Sequence, residues 1–134
     1  MIYADCGLVI EPNDEELVDI TIAASQSCKS LLNTDPRIAL LSFSTKGSAK
    51  HRNTDKILLA LKKLKSLEPE LLVDGELQFD AAIDSAVGKI KAPESKVAGT
   101  ANVMIFPNLD AGNIAYKITQ RLGNADAYGP ILQG

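Results

Sequence analysis

Residues 37–43 read RIALLSF, a nearly unbroken apolar run that begins directly after Pro36 and gives way to the polar stretch STKGS at 44–48. A strand covered on both faces reads this way, because the alternation of apolar and polar residues disappears when neither face meets water. The run therefore predicts a central parallel strand, and the flanking segments must supply a layer for each face. Upstream, the spacing of Leu17, Ile20, Ala24, Cys28 and Leu31 predicts a helix over 14–32, with Asn13 and Glu16 as its capping box and Asn33 and Pro36 closing it. Residues 1–9 before it read as a strand ending near Pro12. Downstream, a helix over about 54–67 turns Ile57, Leu61 and Leu64 inward and Lys56, Lys62, Lys63 and Lys65 outward.

The alternation continues to the end of the chain. Residues 71–73 read as a short strand, followed by the acidic segment DGELQFD at 74–80 and one helix carrying Phe79, Ile83, Val87 and Ile90 up to Pro93. Residues 101–106 form a fourth strand stopped by Pro107, and Gly112 and Asn113 open a helix with Ile114, Ile118 and Leu122, capped by Gly123. Residues 128–132 have strand character. Strands alternating with helices predict one α/β domain over 1–134 with a largely parallel sheet between two helical layers.

Composition narrows the function classes. Apolar residues at 46% and charged residues at 23% are those of a folded globular chain. Fourteen basic against seventeen acidic residues leave a net charge of -3, so no overall positive field draws nucleic acid or an anionic membrane. Aromatic residues are 4% with no Trp, which removes most stacking platforms for single strands. No apolar run reaches bilayer length, and Cys6 and Cys28 lack a CxxC partner, so buried reduced thiols and a cytoplasmic setting are expected. The single histidine, His51, reads as a solvated loop residue between Lys50 and Arg52.

Loops that follow parallel strands share the carboxyl edge of the sheet, where open α/β sheets bind ligands. Residues 44–48, 74–80, 108–113 and 133–134 are expected there. The hydroxyls, lysine and glycine of Ser44, Thr45, Lys46, Gly47 and Ser48, just ahead of a helix, suit either an anion cradle or an ordinary polar turn. They match neither GxxxxGK[ST] nor GxGxxG. Asp74, Glu76 and Asp80 suit a hard cation or an acid-rich helix start, and no metal is expected. Lys117 and Arg121, four apart, are neighbours on one helical face that could hold a phosphate or stay solvated.

Five segments carry a resemblance: DCGLVIEPNDEEL at 5–17, LSFSTKGS at 41–48, LLVDGELQFDAAI at 71–83, ANVMIFPNLDAGNIAYKITQRLG at 101–123 and YGPILQG at 128–134. In this order they resemble the phosphate acetyl/butyryl transferase family across essentially the whole chain. The resemblance implies two α/β domains like those of isocitrate and isopropylmalate dehydrogenases, with the active site in the cleft between them. This chain corresponds to the second domain. It implies direct acyl transfer between CoA and phosphate in a ternary complex, with CoA, acetyl-CoA, phosphate and acetyl phosphate as substrates, no tightly bound cofactor, and a homodimer formed through this domain. The family's serine–arginine pair belongs to an Asp-Leu-Ser-Arg-Gly motif that this sequence lacks, so no catalytic residue is expected here and the chain is expected to be an inactive fragment. By motif position, Ser44, Thr45, Lys46, Gly47, Ser48, Asn113, Lys117 and Arg121 are expected as substrate-binding residues, and Gly129, Pro130 and Gly134 as the turn toward the catalytic loop. The competing expectations are a non-catalytic ligand-binding or dimerisation module and a butyryl-preferring enzyme.

Overall fold

The computed structural model describes residues 1–133. Strands β1 (Ile2–Ala4), β2 (Ile38–Leu41), β3 (Val73–Leu77) and β4 (Val103–Ile105) alternate with helices α1 (Asp14–Leu32), α2 (Arg52–Leu67), α3 (Phe79–Ile83), α4 (Ser85–Lys91) and α5 (Leu109–Leu122). The strands form one parallel sheet in the order β1-β4-β2-β3. As the apolar run at 37–43 predicts, β2 is an inner strand, and all its residues are buried.

The pleat of β2 and β4 sorts the core into two layers. Ile38, Leu40, Val103 and Ile105 pack with Leu17, Ala24 and Cys28 of α1 and Ile57, Ala60, Leu61 and Leu64 of α2. Ala39, Leu41 and Met104 point the other way, toward Ala82, Ala92, Val97 and the flank of α5 at Ala111 and Ala115. The result is the expected α/β sandwich of three layers.

Local signals explain most element ends. Asn13 Oδ1 accepts from the Glu15 and Glu16 amides, both at 2.9 Å, and Glu16 Oε2 accepts from the Asn13 amide at 2.8 Å, so the capping box at α1 is complete. Asn33 closes α1 in a left-handed conformation with φ 48°. Lys63 of α2 reaches Asp14 at 2.7 Å and Glu15 at 2.9 Å, tying the two helices together.

Six expectations are corrected. The first strand is only Ile2–Ala4, because the Asp5 carboxylate collects the amides of Gly7, Leu8 and Val9 and turns the chain. Helix α2 starts at Arg52, since the exposed His51 is its N-cap and its Nδ1 accepts from the Asn53 amide at 3.2 Å. The third strand is Val73–Leu77, so Asp74 and Glu76 lie inside the sheet rather than in a loop. The helix expected across 79–90 is two, because Asp84 is extended and caps a second helix through the amides of Ala86 and Val87. Helix α5 starts at Leu109 with Asn108 as N-cap, and 128–132 are exposed with no strand; Gly123 caps the end of α5 as expected, though in a right-handed conformation. At 128–132 Pro130 removes a ladder donor.

Candidate active site

Strand order creates a crevice. Helix α2 leaves β2 toward one face of the sheet, whereas α5 leaves the neighbouring β4 toward the other, so the chain diverges between adjacent strands. Open α/β sheets bind ligands outside the carboxyl ends of strands at such a point. A cleft of about 340 Å³ opens there, lined by Leu41, Ser42 and Phe43 after β2, Phe106, Pro107 and Asn108 after β4, Asn53 and Lys56 of α2, Phe79 of α3 and Ala111 of α5. Its walls are largely apolar, and residues near the N-termini of α2 and α5 line it, so the positive ends of both helix dipoles border the cleft, although the caps already take most of the first-turn amides. Lys56 stands there with Nζ 2.8 Å from Glu11 Oε1 and 2.9 Å from the Pro107 carbonyl.

The loop at 44–48 lies beside this cleft, and the chain itself satisfies most of its polar groups. Ser44 Oγ donates to Glu76 Oε1 at 2.9 Å and the Gly47 amide donates to the same oxygen at 2.6 Å. The Thr45 hydroxyl accepts from the Gln78 amide at 2.8 Å, and Ser48 Oγ accepts from the Thr45 amide at 3.1 Å. Lys46 Nζ sits 2.5 Å from Asp74 Oδ1 and 2.9 Å from the Gly75 carbonyl. Lys46 and Gly47 adopt left-handed backbone conformations, φ 49° and 81°, and a glycine takes the second at no steric cost. Burial pushes the Asp74 carboxyl up, but hydrogen bonds from Lys46 and Ser95 outweigh it and hold the group below the usual carboxylate range. Asp80 is separately paired with Lys91 at 2.7 Å, so the three carboxylates read together from sequence have three different environments.

Helix α5 carries its candidate residues away from the carboxyl edge. Gly112 lets the helix approach β1: a Cβ there would stand 2.2 Å from the Asp5 carbonyl oxygen. Asn113 Nδ2 donates to the Cys6 carbonyl at 3.2 Å, and Lys117 Nζ donates to Asn113 Oδ1 at 2.8 Å, forming a short chain along the helix. Arg121 is exposed and makes no side-chain hydrogen bond or ion pair among the described residues. It lies about 18 Å along the axis from Leu109 at about 1.5 Å per residue. Gly129 and Pro130 are exposed, Gln133 accepts from Ser27 of α1 at 2.6 Å, and Gly134 lies outside the described residues. Burial, with the nearby Asp5 charge, pushes the Cys6 thiol up to about 12, and burial also raises the Cys28 thiol.

The structure thus brings the 44–48 loop and β3 together beside the cleft and strings Asn113, Lys117 and Arg121 along α5. Among the described residues, none of those expected to bind substrate lines the cleft itself. Its lining was missed because Phe43, Phe79 and Phe106 read as ordinary strand and helix residues until strand order is known. The available signal was positional: each follows a strand or opens a helix.

The phosphate acetyl/butaryl transferase family model matches residues 1–134. A phosphate acetyltransferase of Acetivibrio thermocellus is 56% identical over 133 residues, 99% of this chain and 40% of that protein. A phosphotransacetylase from Streptococcus pyogenes, solved by crystallography, superposes with a TM-score of 0.95 at 52% identity, over 98% of this chain and 40% of that one. A branched-chain phosphotransacylase from Enterococcus faecalis is more distant, with a TM-score of 0.69 at 26% identity, over 90% of this chain and 44% of that one. The chain spans about 40% of the length of most of the curated relatives it matches, and 25% of one from Helicobacter pylori. On a match that runs from the first residue to the last, the chain belongs to the phosphate acetyl/butaryl transferase family.

Proposed function

We propose that this chain is the second α/β domain of a phosphate acetyltransferase, supplying one wall of a site where an acetyl group passes directly between CoA and phosphate. The observation that carries this reading is the full-length family match on a chain whose cleft sits at the divergence of β2 and β4. Acetyl-CoA, CoA, phosphate and acetyl phosphate are all anionic, and Lys56 with the positive dipole ends of α2 and α5 beside the cleft suits them. The apolar wall of Phe43, Phe79 and Phe106 excludes water from the acyl transfer, which protects the thioester and acyl phosphate from hydrolysis. Ser44, Thr45, Lys46, Gly47 and Ser48 form the loop beside the anionic substrate, and Asn113, Lys117 and Arg121 a polar flank. Gly129, Pro130 and Gly134 lead toward the catalytic segment, which supplies acid–base and oxyanion groups that this chain lacks. The enzyme is cytoplasmic, holds no tightly bound cofactor, and dimerises through this domain at the exposed Ile114, Ile118 and Leu122 face of α5. Acetyl is favoured over a branched acyl group because the acetyltransferases and phosphotransacetylases compared stand at 47–56% identity, against 26% for the branched-chain protein.

The test is a chimera in which this chain replaces the matching residues of the Acetivibrio thermocellus relative, assayed for acetyl transfer from acetyl-CoA to phosphate beside the isolated chain. Activity in the chimera and none in the chain alone is the expected result. Activity in the isolated chain contradicts its inactivity as a fragment, and an inactive but folded chimera leaves the non-catalytic module as the better reading.

A further inference from the structure

A loop of hydroxyls, glycine and lysine ahead of a helix is an anion site in waiting, and here an anion already fills it. Glu76 of β3 is 1% exposed, and no cationic side chain pairs with it among the described residues; Lys46, the nearest candidate in the loop, is taken by Asp74. A buried carboxylate is costly unless hydrogen bonds replace its hydration. The Gly47 amide at 2.6 Å and the Ser44 hydroxyl at 2.9 Å do so, with Ser44 Oγ in turn accepting from the Ala49 amide at 3.0 Å. The Lys46 amide adds a bond to the Glu76 carbonyl at 3.2 Å. The loop is therefore wrapped around one side chain from the neighbouring strand. Phe43, a wall of the cleft, sits between this anchor and the Ser42 amide's bond to the Leu77 carbonyl at 2.9 Å.

We propose that Glu76 is a positioning residue: its carboxylate takes the place of a ligand anion inside the Ser44–Ser48 loop, fixes the loop and the Phe43 wall, and leaves the substrate anion to the cleft. This rests on the acyl-transfer reading above. The loop meets substrate only through its outward groups, because its inward donors are spent on Glu76 and a second anion beside a buried carboxylate is repelled.

The test places Glu76→Gln and Ser44→Ala in the chimera described above and reads two quantities. The first is amide hydrogen exchange of the peptide spanning 41–50. Exchange there accelerates tenfold or more in Glu76→Gln while the buried β2 and β4 amides stay protected; unchanged exchange overturns the proposal, whether or not the chimera catalyses. The second is steady-state kinetics with inorganic phosphate and acetyl-CoA. KM for phosphate rises about tenfold with kcat within threefold of the parent, and Ser44→Ala gives a smaller change of the same pattern. A loss of kcat at constant KM, following only the folded fraction, overturns it. If Glu76→Gln does not fold, Ser44→Ala decides: faster loop exchange supports the anchor and unchanged exchange overturns it. An inactive parent chimera counts against the acyl-transfer reading, and the exchange result still judges the anchor.

Discussion

The two faces of the sheet are finished to different degrees. On one, α1 and α2 bury Leu17, Val18, Ala24 and Cys28, and Ile57, Ala60, Leu61 and Leu64, and Lys63 ties the helices by ion pairs at their wet edge. On the other, α3 and α4 are short, α5 buries only Gly112, and Ile114, Ile118 and Leu122 are more than half exposed. The first face is the more completely packed, although Leu31 of α1 and Leu59 and Leu67 of α2 stay exposed. On the second, the apolar stripe of α5 lies in solvent, and it is there that the proposed dimer contact falls. Buried helix faces thus lie on one side of the sheet and the exposed apolar stripe of α5 on the other, and the cleft opens where the two sides part.

Substitutions on each side sharpen this contrast. Leu64→Ala, fully buried between α2 and the sheet, is expected to cost about 2–5 kcal/mol in urea or thermal unfolding. Gly112→Ala puts a methyl 2.2 Å from the Asp5 carbonyl, so α5 must shift off β1; a loss of about 1–3 kcal/mol is expected, and an unchanged melt refutes that close packing. Asp74→Asn tests the clamp over β3. Because the folded carboxyl is held below its ordinary 3.8, the carboxylate's contribution is complete above that pH and fades as pH falls through the folded value. The stability gap between parent and Asp74→Asn, about 1 kcal/mol, is therefore expected to be flat from pH 7 to 5 and to shrink below about pH 3.8. Ile118→Ala completes the series, with under about 0.5 kcal/mol lost in the monomer. Its effect is instead on association: sedimentation velocity should report a weaker dimer, and an unchanged oligomer removes α5 from the interface.

The sequence exposes what is determined locally. Helix α1 is legible to the residue because Asn13, Glu16 and Asn33 are its own caps, and β2 is legible because RIALLSF needs no distant partner to be read as buried. Residues 74–76 mislead because Asp74 and Glu76 are acidic, and their burial depends on Lys46, Ser44 and Gly47 some thirty residues away. Asp84 splits a helix that side-chain periodicity alone carries through, since the period is blind to a capping carboxylate. The cleft is the least legible feature. It depends on β4 inserting between β1 and β2, an order that no single segment encodes.

The most direct test of the central claim, that the cleft between β2 and β4 is a wall of the acyl-transfer site, is kcat/KM of the chimera carrying Asn53→Ala and Phe79→Ala together. Both residues line the cleft and both are exposed, so the fold should survive. The account predicts a drop of at least tenfold, about 1.4 kcal/mol of transition-state stabilisation, with the melting temperature little changed. A kcat/KM equal to that of the parent chimera would contradict it and move the substrate wall elsewhere on the domain.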